Sequence, residues 1–393
     1  MWILEFIFFF ITLVLAWSLF GYLLLIWFLG LFRKQKPLKM ITDFPMMSLI
    51  IPCYNEQDNI LEKLKDTRNL EYPKDQLEII FADGGSEDNT LSLLKRSIKE
   101  DENIIVINCP KKGKINQLNH VLPGLKGEII VNSDTDSRLD KFALKWLATE
   151  FAVADDIYVV GAYCYPADTI NVEKYYWSAQ NRFRLIETDA RSSSIVIAQC
   201  YAFRKKLLKA FPDDVIADDI YIAFLANSFK KRTIYSRYAK AIETRVPKNY
   251  SEFIPHKFRK SNAFLRESLR FLYKLPEMGN FCKVMLLTRI AQQLLLPCTL
   301  LFWFLLAGTL MTLFRFNLVF FSIIFLIALL ILTSRIFSTV ILPEENYKPS
   351  IKTIIEGYAV TNLILIATSV SYLFYRQESS YSRISNNVKK AEK

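Results

Sequence analysis

The chain has 393 residues, of which 52% are hydrophobic, and its formal net charge is +11. This composition is too apolar for an ordinary soluble domain, and it predicts membrane-spanning segments. Basic residues lie mostly beside apolar segments and no nucleic-acid-binding motif is present, which favours membrane lipids over nucleic acid as the partner. Six scattered cysteines without a CxxC pair argue against a disulfide framework, and two histidines leave little material for Ser-His-Asp chemistry.

The N-terminal segment, residues 1–32, is a nearly uninterrupted apolar run in which Glu5 is the only charged residue. The run is long enough to cross a bilayer, and it is too long for a cleaved signal peptide. A basic stretch follows directly, at Arg33, Lys34, Lys36 and Lys39. By the positive-inside rule the N-terminus faces outward and the next domain is cytoplasmic, which predicts a multi-pass protein of the cell membrane.

Residues 46–250 form the predicted soluble domain, because short strand patterns alternate there with helical patterns. This alternation predicts an α/β fold with a mostly parallel, doubly wound sheet and transmembrane helices at both ends of the chain. In such sheets ligands bind beyond the carboxyl ends of the strands. Polar turns follow three of the predicted strands: Tyr54-Asn55-Glu56, Asp83, and the pair Asp134 and Asp136.

Asp134 and Asp136 follow the buried strand pattern of residues 129–131 and are one residue apart. On an extended chain their side chains point the same way. Two converging carboxylates suit a hard divalent cation that also holds a diphosphate. The alternative is a polar strand ending in which Asp only favours the turn. The neighbouring polar turns favour the metal site.

The C-terminal part returns to apolar segments after a helical stretch, residues 251–296, that is rich in both basic and apolar side chains. This stretch predicts either amphipathic helices at the membrane interface or surface helices packed on the domain. Residues 297–375 contain about three segments long enough to cross a bilayer. Three crossings place the basic tail, residues 376–393, outside, whereas its charge favours the inside. Either one segment is re-entrant or the rule fails here.

Seven short motifs occur in the order and spacing found in family 2 glycosyltransferases, and the soluble part resembles the membrane-anchored members, which have a GT-A nucleotide-sugar fold. The motifs are SLIIPCYNE at 48–56, DGGSEDNT at 83–90, GKINQLN at 113–119, SDTD at 133–136, QCYAFRK at 199–205, ADD at 217–219 and HKFRK at 256–260. The resemblance covers roughly residues 47–275. It implies transfer of a sugar from a UDP- or GDP-sugar donor, with inversion, to a lipid-linked or glycan acceptor.

The resemblance also implies roles for particular residues on the donor side. Asp136 would bind Mg²⁺ or Mn²⁺ directly, with Asp134 closer to the ribose. The other donor-binding residues would be Pro52, Tyr54, Asn55, Glu56, Asp83, Lys114 and Arg259. Asn55 and Glu56 have an alternative use as caps of the following helix.

On the acceptor side, the resemblance assigns the general base to Asp219, with Asp218 as its helper or as a helix cap. Gln199, Arg204 and His256 would line the acceptor side, with Arg204 near a phosphate. The chain departs from processive polysaccharide synthases, because His256-x-x-Arg259-Lys260 stands where they carry QxxRW. Single transfer is therefore favoured, and a small processive synthase or a non-catalytic nucleotide-binding membrane protein are the alternatives.

Overall fold

The structure is a computed structural model that describes residues 2–33, 37–100, 102–342 and 348–374. The basic tail and the basic residues Lys34 and Lys36 lie outside the described residues. The chain begins with helices α1 (Trp2–Ala16) and α2 (Tyr22–Leu31), which a π-helical turn joins into one apolar helix. The domain that follows contains strands β1 (Met47–Cys53), β2 (Leu77–Asp83), β3 (Ile104–Asn108), β4 (Ile129–Asn132), β5 (Ser137–Leu139), β6 (Ile157–Pro166), β7 (Tyr201–Arg204) and β8 (Arg232–Glu243). Its helices are α3 (Ile60–Arg68), α4 (Thr90–Ser97), α5 (Lys114–Val121), α6 (Ala143–Ala152), α7 (Asn171–Ala190), α8 (Asp218–Ser228) and α9 (Tyr250–Arg270).

The strands form one mixed sheet of eight strands in the order β3-β2-β1-β4-β7-β6-β8-β5 within the described residues. The first four strands are parallel, as helical crossovers between consecutive strands require. β7 lies antiparallel between β4 and β6, and β5 is antiparallel to β8 at the edge. The predicted α/β class is confirmed, with antiparallel strands in its second half.

Helices cover both faces of this sheet, which explains why the central strands are apolar at nearly every position. Every residue of β1, β2 and β4 is buried. Strands buried on both faces lose the alternation of polar and apolar residues that a half-exposed strand shows. The two resulting cores lie on opposite faces of β1, since Ile50 belongs to one core and Leu49 and Ile51 belong to the other.

The C-terminal helices are α10 (Asn280–Leu294), α11 (Leu296–Thr312), α12 (Phe316–Thr339) and α13 (Ile351–Phe374). Three helices of the described residues are long and apolar enough to cross a membrane: Trp2–Leu31, Phe316–Thr339 and Ile351–Tyr372. The pair α10 and α11 also passes this test when taken together, but the two helices are bent by 58° where they meet. Apolar helices thus flank the domain at both ends, as the sequence predicts.

The first helix and α11 run antiparallel, and polar contacts mark their register. Gln292 donates to the carbonyl of Ser18 at 2.8 Å, and the indole of Trp303 donates to Thr12 at 2.9 Å. Farther along, the guanidinium of Arg315 pairs with Glu5 at 2.9 Å. This fixes the loop between α11 and α12 beside the N-terminal end of α1.

The helix α13 packs along the domain. Gly357 faces the ring of Tyr175 on α7, and Ile364 packs in a small core with Val172 of α7 and Phe253 of α9. Near its C-terminal end, Ser369 donates to the carbonyl of Gln293 at 3.0 Å. The contacts with the domain and α10 therefore extend over most of the length of α13.

Candidate active site

The carboxyl ends of β1, β2 and β4 meet at one edge of the sheet and bring the predicted polar turns together. Cys53 lies opposite Asp83 in the register of β1 and β2. After β4 the chain continues beside β1, because the Thr135 hydroxyl donates to the carbonyl of Pro52 at 2.9 Å. Asp134 and Asp136, on either side of Thr135 in the chain, therefore lie beside the turn that contains Tyr54.

Asp83 and Asn55 fix the conformation of the two turns that follow β2 and β1. The buried carboxylate of Asp83 accepts from the backbone N–H groups of Gly85 and Ser86, both at 3.0 Å. Asn55 has a positive φ of 51°. Its side-chain oxygen accepts from the N–H of Glu87 at 2.8 Å. These contacts tie the turn after β1 to the turn after β2, and donor contacts by these two residues stay a prediction.

Gly84 follows Asp83 in the turn after β2, and this position has no room for a side chain. A Cβ at position 84 would lie 2.7 Å from the side-chain nitrogen of Gln117. That nitrogen is held in place, because it donates to the carbonyls of Cys53 and Ala82 at 2.6 and 2.9 Å. Gln117 of α5 thus fills the space that a side chain at 84 needs.

Lys114 is the cation at the centre of the site. It is the first residue of α5 and follows Gly113, whose φ is +106°. Its ammonium lies 2.7 Å from Oδ1 of Asp134 and 2.9 Å from Oδ2 of Asp218. Burial disfavours the charged amine, but these carboxylates outweigh burial and raise the pKa of Lys114. Lys114 therefore joins the predicted donor side to the predicted catalytic pair.

The two carboxylates of the DxD motif are in different surroundings. Burial is the main cause that raises the pKa of Asp134 to about 6, with Asp136 adding to it and Lys114 opposing it. Asp136 is paired on its other side with Arg245, whose NH1 lies 3.4 Å from Oδ2. The same guanidinium donates to Glu56 at 2.6 Å. Arg245 thus connects the turn after β1 to the DxD motif.

Asp218 and Asp219 begin α8, and the structure separates their roles. Asp218 is buried, and its Oδ2 accepts from the Tyr201 hydroxyl at 2.7 Å in addition to pairing with Lys114. Asp219 is half-buried, and its carboxylate accepts from the backbone N–H of Ala198 at 3.1 Å and of Ile220 at 2.9 Å. Burial and the neighbouring Asp218 raise the pKa of Asp219 to about 6. A carboxylate with this pKa can accept a proton near neutral pH.

The acceptor-side residues Gln199 and His256 lie near Lys260, which belongs to the HKFRK motif, and near Glu243, which no motif indicates. Gln199 donates to Oε1 of Glu243, and the ammonium of Lys260 lies 3.4 Å from the same oxygen. His256 is buried one helical turn before Lys260 on α9. Its Nδ1 makes no hydrogen bond within the described part of the chain. Burial and then the nearby lysines lower the pKa of His256, which keeps the imidazole neutral.

Arg204 does not lie near these residues, which corrects the prediction that it contacts an acceptor phosphate. Because β7 is antiparallel to β4, Arg204 lies opposite Ile129 at the amino end of β4. Its guanidinium donates to the carbonyls of Ile157 at 2.8 Å and Phe151 at 3.0 Å. Arg259 is half-buried on α9, and its predicted contact with the diphosphate stays a prediction.

Three residues of the site have no role predicted from the sequence: Tyr201, Glu243 and Arg245. Of these, Glu243 and Arg245 lie outside the motifs. Tyr201 begins β7 two residues after Gln199, so its position in the QCYAFRK stretch was a usable signal. Glu243 ends β8 and Arg245 follows it. The position of β8 in the sheet brings Glu243 to Gln199, and it brings Arg245 to Glu56 and Asp136.

Comparison with known proteins agrees with this geometry. Residues 48–211 match the family model described as Glycosyl transferase family 2. Over these residues the chain is similar to family 2 glycosyltransferases, and the domain has the GT-A fold.

Two relatives and one solved structure indicate the range of similar proteins. A probable glycosyltransferase, YdaM, of Bacillus subtilis is 37% identical over 109 residues, which cover 27% of this chain and 26% of the relative. A beta-monoglucosyldiacylglycerol synthase of Nostoc is 35% identical over 100 residues, which cover 25% of this chain and 21% of the relative. The chain thus matches about a quarter of the length of these relatives.

A mannosyltransferase of Pyrobaculum calidifontis, solved with GDP-Man and Mn²⁺, shares the fold with a TM-score of 0.68 at 22% identity, over 94% of this chain and 99% of that one.

Proposed function

We propose that this protein is a membrane-bound, inverting glycosyltransferase that moves one sugar from a UDP- or GDP-sugar to a hydroxyl of a lipid-linked or glycan acceptor. The observation that carries the proposal is the arrangement around Lys114, whose ammonium contacts a DxD carboxylate on one side and the Asp218-Asp219 pair on the other. A donor-binding pair and a separate carboxylate base within one crevice are what a single displacement requires.

The donor side is proposed to comprise the turn after β1, the turn after β2, Lys114 and Arg259. The half-buried ring of Tyr54 offers a face for the base, and the ammonium of Lys112 lies 5.3 Å from its centroid. Lys114 provides a positive charge at a helix start, where a diphosphate is favoured. These groups bind and orient the donor so that its anomeric carbon faces Asp219.

The residues present fit a divalent cation, Mg²⁺ or Mn²⁺, held by Asp136 and Asp134. Within the described residues no three His, Cys, Asp or Glu side chains form a metal cage of their own. Mg²⁺ is usually held by one or two carboxylates together with substrate phosphates, and the DxD pair offers this set. A cation bound there neutralises the charge that develops on the departing diphosphate. The Mn²⁺ in the Pyrobaculum calidifontis mannosyltransferase is compatible with this proposal.

Asp219 is proposed as the general base. Its carboxylate accepts the proton of the acceptor hydroxyl while the hydroxyl oxygen forms a bond to the anomeric carbon. The bond between that carbon and the diphosphate oxygen breaks at the same time, which inverts the configuration. Asp218 holds Lys114 and Tyr201 in place, and its negative charge keeps the pKa of Asp219 raised.

The acceptor is proposed to approach from the side of α9 and α13. There Gln199, Glu243 and Lys260 provide hydrogen-bonding groups for sugar or phosphate. A lipid-linked acceptor is favoured because the apolar helix α13 packs directly on α9. The diacylglycerol named in the Nostoc relative supports this class of acceptor.

We propose a membrane topology in which α1 enters the cell, α10 and α11 leave it, α12 returns, and α13 stays at the cytoplasmic face. The Glu5–Arg315 pair supports the first part, since it places the ends of α1 and α12 on one side. The C-terminal end of α12 reaches the other side, where Val340 and Leu342 line a cavity with Gly30. The domain contacts of α13 support its interfacial position, because about 20 residues free of the domain are needed to cross. This topology keeps the tail cytoplasmic, as its charge favours.

The proposal is tested by incubating the purified full-length protein in nanodiscs with Mn²⁺, a panel of UDP- and GDP-sugars, and a membrane lipid extract. We expect one donor to give a metal-dependent product of inverted anomeric configuration that carries a single added sugar. Asp219→Asn should abolish product formation while leaving nucleotide binding largely intact. A product ladder would instead support a processive synthase, and absence of nucleotide-sugar binding would support the non-catalytic alternative.

A further inference from the structure

The residue directly before Arg245 anchors the chain at the DxD motif. Thr244, which directly follows β8, donates both its N–H and its hydroxyl to the carbonyl of Asp136, at 2.9 and 2.7 Å. The side chain of Arg245 is only 14% exposed, with NH1 at 3.4 Å from Oδ2 of Asp136. Its position is therefore determined by the fold and is not that of a mobile surface side chain.

Each carboxylate of the DxD pair has a side-chain cation as its partner. Lys114 pairs with Asp134 and Arg245 pairs with Asp136. A divalent cation on the same carboxylates would lie close to both positive charges, and like charges at a few ångströms repel strongly where water is scarce. Metal binding to the DxD pair by itself is consequently opposed by these two residues.

A nucleoside diphosphate changes this balance, because its oxygens accept hydrogen bonds from guanidinium N–H groups and a planar fork suits them. Arg245 has a donor to offer, since its buried Nε makes no hydrogen bond within the described residues. A buried donor without a partner is costly, and an incoming phosphate oxygen would satisfy it.

We propose that Arg245 is a positioning residue that makes metal and nucleotide binding depend on each other. Without nucleotide, Arg245 competes with the divalent cation for Asp136. When a diphosphate binds, Arg245 donates hydrogen bonds to the phosphate oxygens, and it then no longer competes for Asp136. The proposal rests on the proposed function, because it takes the DxD pair as the metal site. By linkage, the factor by which nucleotide strengthens metal binding equals the factor by which metal strengthens nucleotide binding.

The test measures Mn²⁺ affinity from the electron paramagnetic resonance signal of free Mn²⁺, with full-length protein in detergent, with and without saturating UDP or GDP. For the native chain we expect tighter Mn²⁺ binding with nucleotide, by about tenfold or more. In Arg245→Gln, Mn²⁺ affinity without nucleotide should rise by about tenfold, and the gain from nucleotide should shrink by a similar factor. The matched control is Arg232→Gln, because Arg232 pairs with Asp156 at the opposite end of β8 and should leave both values unchanged.

Arg245→Lys separates charge from shape, since it keeps the positive charge and loses the planar fork. We expect it to retain weak Mn²⁺ binding without nucleotide, and this variant decides the matter if Arg245→Gln does not fold. Tight Mn²⁺ binding by Arg245→Lys without nucleotide, or an unchanged affinity and nucleotide effect in Arg245→Gln, would overturn the proposal. If the native protein binds no Mn²⁺ with either nucleotide, the proposed metal site itself is wrong. If nucleotide strengthens Mn²⁺ binding equally in the native protein and in Arg245→Gln, only the role of Arg245 is wrong.

Discussion

The ammonium of Lys114 lies 2.7 Å from Asp134 and links the DxD motif to the proposed catalytic pair, because the same nitrogen also contacts Asp218. One side chain thus neutralises carboxylates from two distant parts of the chain. Such a residue serves both the binding of the donor and the stability of the site, since buried carboxylates without a counter-charge are costly.

Replacement of Lys114 by Met should therefore lower kcat/KM by about a hundredfold or more, as loss of one charge-stabilising donor usually does. Most of the loss should appear as a higher KM for the nucleotide sugar, because Lys114 is proposed to bind the ground-state diphosphate as well. Steady-state kinetics with the donor varied check this. Lys95→Met, on the exposed side of α4, is the matched control. Equal KM values for native protein and Lys114→Met would contradict the donor role.

Asp218 and Asp219 are predicted to have different roles, so their substitutions should affect different quantities. Asp219→Asn should reduce kcat by about a hundredfold to ten thousandfold, the usual contribution of a general base, with donor affinity little changed. Asp218→Asn should instead weaken donor binding and lower the melting temperature, because Lys114 and Tyr201 lose their shared partner. Nucleotide titration and thermal unfolding separate the two effects. Residual transfer by Asp219→Asn comparable to that of the native protein would exclude this residue as the base.

The raised pKa of Asp219, about 6 against an ordinary value of 3.8, predicts the acid side of the pH profile. The base works only when ionised, so the rate should fall about tenfold per pH unit below about pH 6. Stability should behave differently. Between these two values the folded state binds more protons than the unfolded state, so this group makes folding more favourable as the pH falls.

The measurement is kcat/KM from pH 5 to 8 at saturating Mn²⁺, with a melting curve at each pH. Loss of activity at pH 5 with a melting temperature that does not fall is the expected result. A profile that is flat down to pH 5 would contradict the assignment, and so would a loss of activity that merely follows unfolding.

Gly84 gives a stability prediction. Gly84→Ala should cost about 1–3 kcal/mol, because the new Cβ must displace Gln117 and break the two hydrogen bonds that it donates to backbone carbonyls. Gly124→Ala is the matched control, because a Cβ there meets no atom within 4 Å. Denaturant or thermal unfolding of both variants checks the difference. Equal stability of the two variants would show that Gln117 moves aside freely.

The proposed topology can be tested with single cysteines and a membrane-impermeant maleimide in intact cells. Cys298, the exposed one of the six native cysteines, is first replaced by Ser. A cysteine at Phe314, between α11 and α12 and 82% exposed, should be labelled from outside. Cysteines at Ile351 and Phe374, the two ends of α13, should react only after lysis. Labelling of position 374 in intact cells would show that α13 crosses the membrane.

The α/β class and the meeting of the polar turns at one edge of the sheet could be predicted from the sequence, because both follow from local patterns. Strand-helix alternation defines the fold class, and parallel strands place the residues after β1, β2 and β4 at one edge. The apolar segments likewise follow from length and composition. Arg204 shows the limit of this reasoning, since its motif neighbour Gln199 lies in the site, whereas the antiparallel direction of β7 carries Arg204 away from it.

The sequence by itself thus determined the fold class, the family resemblance and the carboxylates available for metal and base, because each depends on residues close together in the chain. Only the tertiary structure decided how those carboxylates are paired. Lys114 reaches two of them, and Arg245 reaches Asp136 from a strand more than a hundred residues away. The order of strands in the sheet sets these distances, and electrostatic pairing depends on distance in space.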